Sequence, residues 1–358
     1  MTKERRIPSS RLGRFSQLGR LAGGMVGGMV TEGARQLARG NRPAIGDMLL
    51  TPANARRLAD RLSEMRGAAM KMGQLLSMDS GQILPPQLSE ILTRLRENAH
   101  RMPLGQVAQV LDDSLGNQWK EAFKRFDFKP VAAASIGQVH RATLRDEREV
   151  AIKLQYPGIE RSIDSDIRNV GMLLKLSGML PDGIDLDTLL DEARHQLHHE
   201  ADYEHEAELL RRFHAHLEQD QRFTVPGVIG ELSSRRVLTM DYLHGKHIET
   251  IENLESAKRN DVARHLTELA FREVFNWGLV QTDPNFANYL YEHDNGGIQL
   301  LDFGAAREHD EQQRIDMRML LNACAANNDE LILDAAARVG YLDNDDPPGY
   351  ARSVLLLL

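Results

Sequence analysis

The segment Val280-Gln281-Thr282-Asp283-Pro284-Asn285-Phe286-Ala287-Asn288 gathers acid and amide side chains among turn formers, and Leu301-Asp302-Phe303-Gly304 adds a second carboxylate. Between them, NYLYEHDNGGIQLLD reads as two apolar runs around Asp294-Asn295-Gly296-Gly297, a hairpin signal. Folding about residue 295 brings Asn288 and Asp302 roughly opposite each other across the ladder. An amide oxygen beside a carboxylate is a hard, oxygen-only donor set, suited to a magnesium ion that also holds substrate phosphates. Asp283, five residues before Asn288, is then expected at the mouth of the same site, where it can position or deprotonate an attacking hydroxyl or water.

An Asp, an Asn five residues on and a hairpin to Asp-Phe-Gly is the spacing of a kinase catalytic loop and its metal-binding segment. One such tripeptide is weak; both pieces at this separation, linked by a hairpin, are not a chance loop of turn formers. The spacing calls for an upstream strand lysine, and Val150-Ala151-Ile152-Lys153 supplies it. Tyr203, Glu206, Leu210, Phe213 and Leu217 form a helical stripe that places Glu206 at a core-facing position. A carboxylate there is costly unless paired, and Lys153 is the expected partner. A kinase's glycine-rich phosphate loop is replaced by Ala132-Ala133-Ala134-Ser135-Ile136-Gly137. Alanine Cβ atoms oppose positive φ and limit backbone approach, so this loop should grip a nucleotide differently. Thr239 to Gly245 follows a strand where a hinge would meet a purine. Nucleotide contacts are thus expected at Ala132, Ala133, Ala134, Ser135, Lys153, Met240 and Tyr242.

The elements that must hold these residues are legible in outline. Leu58, Leu62, Met65, Ala69, Met72 and Leu76 make an apolar stripe that predicts a helix over Thr51–Met78, with Lys71 on its flank. Leu84-Pro85-Pro86 breaks it, and Gln87–Glu97 resumes helical spacing. Strands are expected at Phe126–Lys129, Gln138–Leu144, Glu149–Gln155 and Arg236–Met240. Helices are expected over Gly158–Ser177, Asp187–Leu217 and Ala257–Trp277.

Together these residues resemble the UbiB, or aarF-domain, family of atypical protein-kinase-like proteins. The resemblance rests on KMGQ (Lys71–Gln74), AAASIGQVH (Ala132–His140), VAIK (Val150–Lys153), EADYEHEA (Glu200–Ala207), QTDPNFAN (Gln281–Asn288) and LDFGAAR (Leu301–Arg307), and covers roughly residues 8–340. QTDP in place of HADP, with the leader PSSRLGR, is similar to the branch that supports coenzyme Q biosynthesis. The resemblance implies an α+β, atypical protein-kinase-like two-lobe fold with a helical N-terminal KxGQ extension. It implies a leader over residues 1–42, the extension over 43–115, an N-lobe over 116–240 and a C-lobe over 241–358. In that branch the KxGQ segment folds over the active site and excludes ordinary protein substrates, which makes Lys71, Gln74, Glu200 and Asp202 regulatory candidates. The implied activity is that of a Mg2+-dependent kinase or ATPase using ATP or ADP, with Asp283, Lys153 and Glu206 catalytic and Asn288 and Asp302 on the metal. Implied partners are an anionic membrane or isoprenoid lipid surface, ubiquinone-biosynthesis proteins and a second copy of the chain. The implied location is cytoplasmic and peripheral at a bacterial inner membrane, or the matrix side of the mitochondrial one. Many bacterial members carry C-terminal membrane-spanning helices that this sequence lacks, and it stops 56 residues after Asp302, so the C-lobe is expected to be incomplete.

Composition narrows the remaining classes. The 358 residues include 52 acidic and 44 basic side chains, for a net charge of −8, which argues against a general nucleic-acid binder. Met1–Arg42 holds nine basic and two acidic side chains, a net +7 on an acidic body. That basic head fits an anionic membrane surface. No apolar run is long enough to span a bilayer, and the single cysteine, Cys324, excludes an internal disulfide framework. A different class, a nucleotide-gated lipid- or protein-binding scaffold with little phosphotransfer, is favoured by the obstructing KxGQ segment and the basic arm. A metal hydrolase on His195, His198, His199 and His205 is disfavoured, because HExxH spacing is absent.

Overall fold

The computed structural model describes residues 62, 65–79, 101–177, 185–343, 346–347 and 349–357. The basic leader and the helix expected at Gln87–Glu97 lie outside the described residues. The chain divides into two compact units, Met1–Arg212 with Pro226–Leu243, and Phe213–Val225 with His244–Leu358.

The first unit is built on an antiparallel sheet of β1 (Phe123–Phe126), β2 (Ala132–Ala133), β3 (Gly137–Leu144), β4 (Glu149–Gln155) and β6 (Val237–Asp241). The order is β1-β3-β4-β6, with β2 paired to β3. Strand β4 is central and buried from Val150 to Gln155. Its period of two sends Val150, Ile152 and Leu154 into a core with Val107, Val110 and Leu111 of helix α2 (Leu104–Leu115) and with Trp119 and Phe123. Lys153 and Gln155 consequently project from the other face. The first strand begins three residues before the expected Phe126. Trp119, Phe123 and Phe126 pack edge to face with centroids 5.5–6.1 Å apart, which fixes that stretch against the core.

Helix α1 (Arg66–Asp79) packs on α3 (Ile159–Ser177) and α4 (Leu186–Glu200). Its stripe residues Ala69, Met72 and Leu76 are buried, as are Leu62 and Met65 just before it. The single helix expected over Asp187–Leu217 is two helices, α4 and α5 (Tyr203–Leu217). Asp202 interrupts it: its Oδ1 accepts from the backbone N–H groups of Glu204 and His205, an N-cap that competes with helix continuation.

The second unit contains the sheet β5-β10-β9-β7, from Phe223–Thr224, Ile298–Leu300, Tyr289–Tyr291 and Lys246–His247. A separate pair joins β8 (Leu279–Gln281) to β11 (Ala306–Glu308). Helix α6 (Ser256–Arg272) runs into a π turn, Glu273–Trp277, where a plain α-helix was expected to continue. Gly278 closes that turn at φ 63°, and a Cβ there would stand 2.8 Å from the His309 carbonyl oxygen, so only glycine fits. Helices α7 (Glu311–Ala325), α8 (Asp329–Val339) and α9 (Tyr350–Leu357) share a small core of Leu320, Ala323, Ile332, Ala336 and Val354.

The β9–β10 register departs by one residue from expectation. Tyr289 faces Leu300, and the Leu301 N–H donates to the Asn288 carbonyl at 3.0 Å, so Asn288 stands opposite Leu301. The cause is the turn: the Glu292 N–H donates to the Gly297 carbonyl, closing an even-numbered loop whose centre falls between Asp294 and Asn295.

Candidate active site

In the first unit Lys153 Nζ donates to both carboxylate oxygens of Glu206, at 2.7 and 2.8 Å. Glu206 is 1% exposed and Lys153 8%, so the pair is held in low dielectric, with the ammonium 5.2 Å from the Tyr203 ring centre. Such a lysine is a fixed cation of the kind that orients nucleotide phosphates.

The alanine loop is a tight hairpin: Ala132 pairs with Val139, Ala133 with Gln138, and the Ala134 N–H donates to the Gly137 carbonyl at 2.9 Å. Ala132 and Ala133 are exposed, while Ala134 and Ser135 are half-buried. Among the described residues, the non-glycine positions of positive φ are Glu147 and Asn327, so the alanines keep ordinary backbone geometry. Gly137 answers a packing demand: a Cβ on it would stand 2.3 Å from the Leu154 carbonyl oxygen. The remainder of the motif, Gln138 and His140, is buried and structural. Gln138 Oε1 accepts from the Met102 N–H at 3.1 Å, its Nε2 meets His140 Nε2 at 2.7 Å, and His140 Nδ1 meets the Asp127 carbonyl at 2.9 Å. Burial lowers the His140 pKa, which favours the neutral ring that this chain of bonds needs.

Met240 pairs with Ala151 of β4 and is bridged by Val228. The Tyr242 N–H closes the ladder on the Glu149 carbonyl at 3.0 Å, and its ring lies 4.6 Å from the Arg141 guanidinium. The Tyr242 amide is therefore engaged within the sheet.

Lys71, expected on a helix flank, is 4% exposed and bonds Glu200 Oε1 at 2.8 Å. Ser135 Oγ donates to Glu200 Oε2 at 2.7 Å. One carboxylate thus ties the KxGQ helix to the alanine loop. Gln74 is half-buried on the same helix, and Asp202 caps α5. The four histidines noted in the sequence line an open pocket of about 590 Å3 with Asp202. His195 and His199 approach to 5.1 Å between ring centres, and His198 pairs with Asp164 at 3.0 Å. Among the described residues no three His, Cys, Asp or Glu side chains converge at metal-ligand spacing.

In the second unit Asp283, Asn288 and Asp302 are all half-buried. Asp302 Oδ1 accepts from the Gly304 N–H at 3.0 Å, which sets the turn of the Asp-Phe-Gly segment. Phe303 is buried against Phe213, with ring centres 4.3 Å apart. Asn288 and Asp302 offer only hard oxygen donors from adjacent positions of one hairpin, which fits magnesium, an ion that keeps water and phosphate in most of its shell.

Gln281, which sequence reasoning used only as a branch marker, links the two loops. Its Oε1 accepts from the Asp283 N–H at 3.0 Å and its Nε2 donates to the Asp302 carbonyl at 2.6 Å. Thr282 Oγ1 adds a bond to the Ala305 carbonyl at 2.6 Å. Behind them lies Glu273, 6% exposed, whose Oε2 accepts from the Gln281 N–H at 2.8 Å. Burial pushes its carboxyl up to about 7. No helical period could have flagged Glu273, because the π turn begins at that residue and resets the phase.

A family description, the ABC1 atypical kinase-like domain, matches residues 94–336. The chain belongs to that family. As an ABC1-family chain it has a protein-kinase-like fold. It is 42% identical over 313 residues to the mitochondrial atypical kinase COQ8B of Danio rerio, covering 86% of this chain and 50% of the relative. It is 38% identical over 340 residues to the mitochondrial atypical kinase COQ8 of Saccharomyces cerevisiae, covering 95% of this chain and 68% of the relative. The chain therefore spans about half the length of the Danio relative. Among solved structures, Rv3197 of Mycobacterium tuberculosis, in complex with erythromycin, superposes with a TM-score of 0.57 at 31% identity, over 82% of this chain and 75% of that one. Among the described residues of this ABC1-family member, no helix is long and apolar enough to cross a membrane.

Proposed function

We propose that the chain is a Mg2+-dependent atypical kinase or ATPase that supports coenzyme Q biosynthesis at a membrane surface. The observation that carries this reading is the buried Lys153–Glu206 pair, because such a pair is often no more stabilising than packed apolar residues and its presence points to a use for the cation. Lys153 would orient nucleotide phosphates, with Glu206 fixing its ammonium. Asn288 and Asp302 would hold magnesium, whose charge neutralises the transferring phosphoryl group when it is bound. Asp283 would accept a hydrogen bond from, and then the proton of, the attacking hydroxyl or water. Membership of the ABC1 family and the names of the COQ8 relatives support the kinase class and the coenzyme Q setting. The +7 leader supports the membrane address. The test is calorimetric binding of Mg-ATP and Mg-ADP, followed by turnover on anionic vesicles with product analysis. Wild type should bind and turn over nucleotide, and Asp302→Asn should lose most of the turnover; a wild type that does neither ends the reading.

A second reading, the nucleotide-gated scaffold, is favoured by the Lys71–Glu200–Ser135 contact, which holds the KxGQ helix to the loop where phosphates would sit. It expects vesicle or partner binding that responds to nucleotide and survives Asp283→Asn. Loss of pathway output in that variant counts against it.

A further inference from the structure

Glu273 poses a physical question that the roles above do not answer. It is an ionisable side chain almost sealed from water, at the first position of a π turn, beside the loop that carries Asp283. A glutamine there would accept the same bond from the Gln281 N–H without the cost of burying a charge. What the carboxyl adds is a stronger, charge-assisted acceptor. The bond it makes begins a chain: Glu273 to the Gln281 backbone, then the Gln281 side chain to the Asp283 N–H and to the Asp302 carbonyl, at 2.8, 3.0 and 2.6 Å. π turns are rare and are frequently found at functional sites.

We propose that Glu273 is a positioning residue: its ionised carboxylate sets Gln281, and through that one side chain sets the backbone of both Asp283 and Asp302. The proposal rests on the reading that these two aspartates serve Mg-nucleotide chemistry. The titratable groups around it are few. Tyr289 of β9 is pushed up to about 12 by its own burial and by the Glu273 and Asp283 carboxylates. Helix α7, which packs on the π turn, brings Arg314, Asp316 and Arg318, and Arg318 donates to the Phe275 carbonyl at 3.2 Å. Helix α6 ends in Arg272, which is bound to Asp220. Among the described residues, the donor to Glu273 is the Gln281 N–H. Its ionisation near neutrality should therefore be felt first at Gln281.

Two measurements on the full chain test this. In the first, the backbone 15N–1H resonances of Gln281 and Asp283 are followed from pH 5.5 to 8.5 in wild type and in Glu273→Gln. Both should titrate with one midpoint near 7 in wild type and stay still in the variant. An Asp283 resonance that does not move, or that moves equally in the variant, overturns the proposal, and this result needs no turnover. In the second, kcat and KM for Mg-nucleotide are measured over the same range. Wild-type kcat should rise severalfold through that midpoint. Glu273→Gln should flatten the rise with KM within about threefold, and Glu273→Ala should lower kcat at every pH. Superimposable kcat profiles for wild type and Glu273→Gln overturn the proposal while leaving the nucleotide reading intact. Failure of wild type to bind Mg-nucleotide in calorimetry removes that reading instead.

Discussion

Lys153 and Glu206, in the first unit, are nearly sealed from water and bonded to each other, whereas Asp283, Asn288 and Asp302, in the second, are half-buried in loops and a short hairpin. In the first case the groups proposed to function are also part of the core. In the second, the Gln281 side chain holds the Asp283 backbone, and the Asp302 carboxylate accepts one bond from the Gly304 N–H that an amide oxygen could also accept. Substitutions should therefore divide: those in the first unit cost stability as well as activity, and those in the second cost activity alone.

The largest expected effect is on turnover. Asp302→Asn should lower kcat roughly 100-fold or more, since it trades the charged carboxylate of the proposed magnesium site for a neutral amide oxygen, while the unfolding midpoint stays close to wild type. A large drop in stability would break the comparison. Next comes the buried pair. Glu206→Ala leaves the Lys153 ammonium buried without its carboxylate and should destabilise by about 3–5 kcal/mol in denaturant titrations. Lys153→Met combined with Glu206→Leu should recover most of that loss without recovering turnover.

Glu273 sharpens the contrast, because it is a core-like burial within the loop-built half. Its pKa rises from 4.5 to about 7 on folding, so the folded state binds the proton more tightly than the unfolded one. Wild-type stability should accordingly fall as pH climbs from about 4.5 to 7 and level off above it. Glu273→Gln should be free of that fall, so it should be more stable at pH 8 by up to about 3 kcal/mol relative to its difference at pH 4.5. Parallel stability curves for the two proteins would show that Glu273 does not titrate in this range. The smallest effect belongs to Ser135→Ala, which deletes one hydrogen bond to Glu200 and should cost about 1 kcal/mol, read in the same titrations.

The sequence carried far what depends on spacing. Strand Glu149–Gln155 is present as read, and the stripe through Tyr203, Glu206 and Leu210 is buried at every position, because period-2 and period-3.6 patterns follow from backbone geometry alone. What it carried poorly depends on local side-chain competition. The Asp202 cap divides the helix expected over Asp187–Leu217, and the hairpin loop shifts the register by one residue. Periodicity alone puts Lys71 on a helix flank, because its partner, Glu200, is far off in sequence, and it is the family resemblance that groups the two. Glu273 and Gln281 escaped for a related reason: their roles lie in bonds to main-chain atoms, which residue types do not display.

The break between α4 and α5 has a mechanical consequence. Glu200 and Glu206 stand on either side of Ala201-Asp202, and each holds its own lysine, Lys71 and Lys153. The joint itself is pinned, since Gln155 Nε2 donates to the Ala201 carbonyl at 2.6 Å and the Tyr203 N–H to the Arg235 carbonyl at 3.2 Å. The contact that holds the KxGQ helix and the contact that fixes the Lys153 ammonium therefore flank one pinned joint, and both carboxylates are placed by the same two bonds.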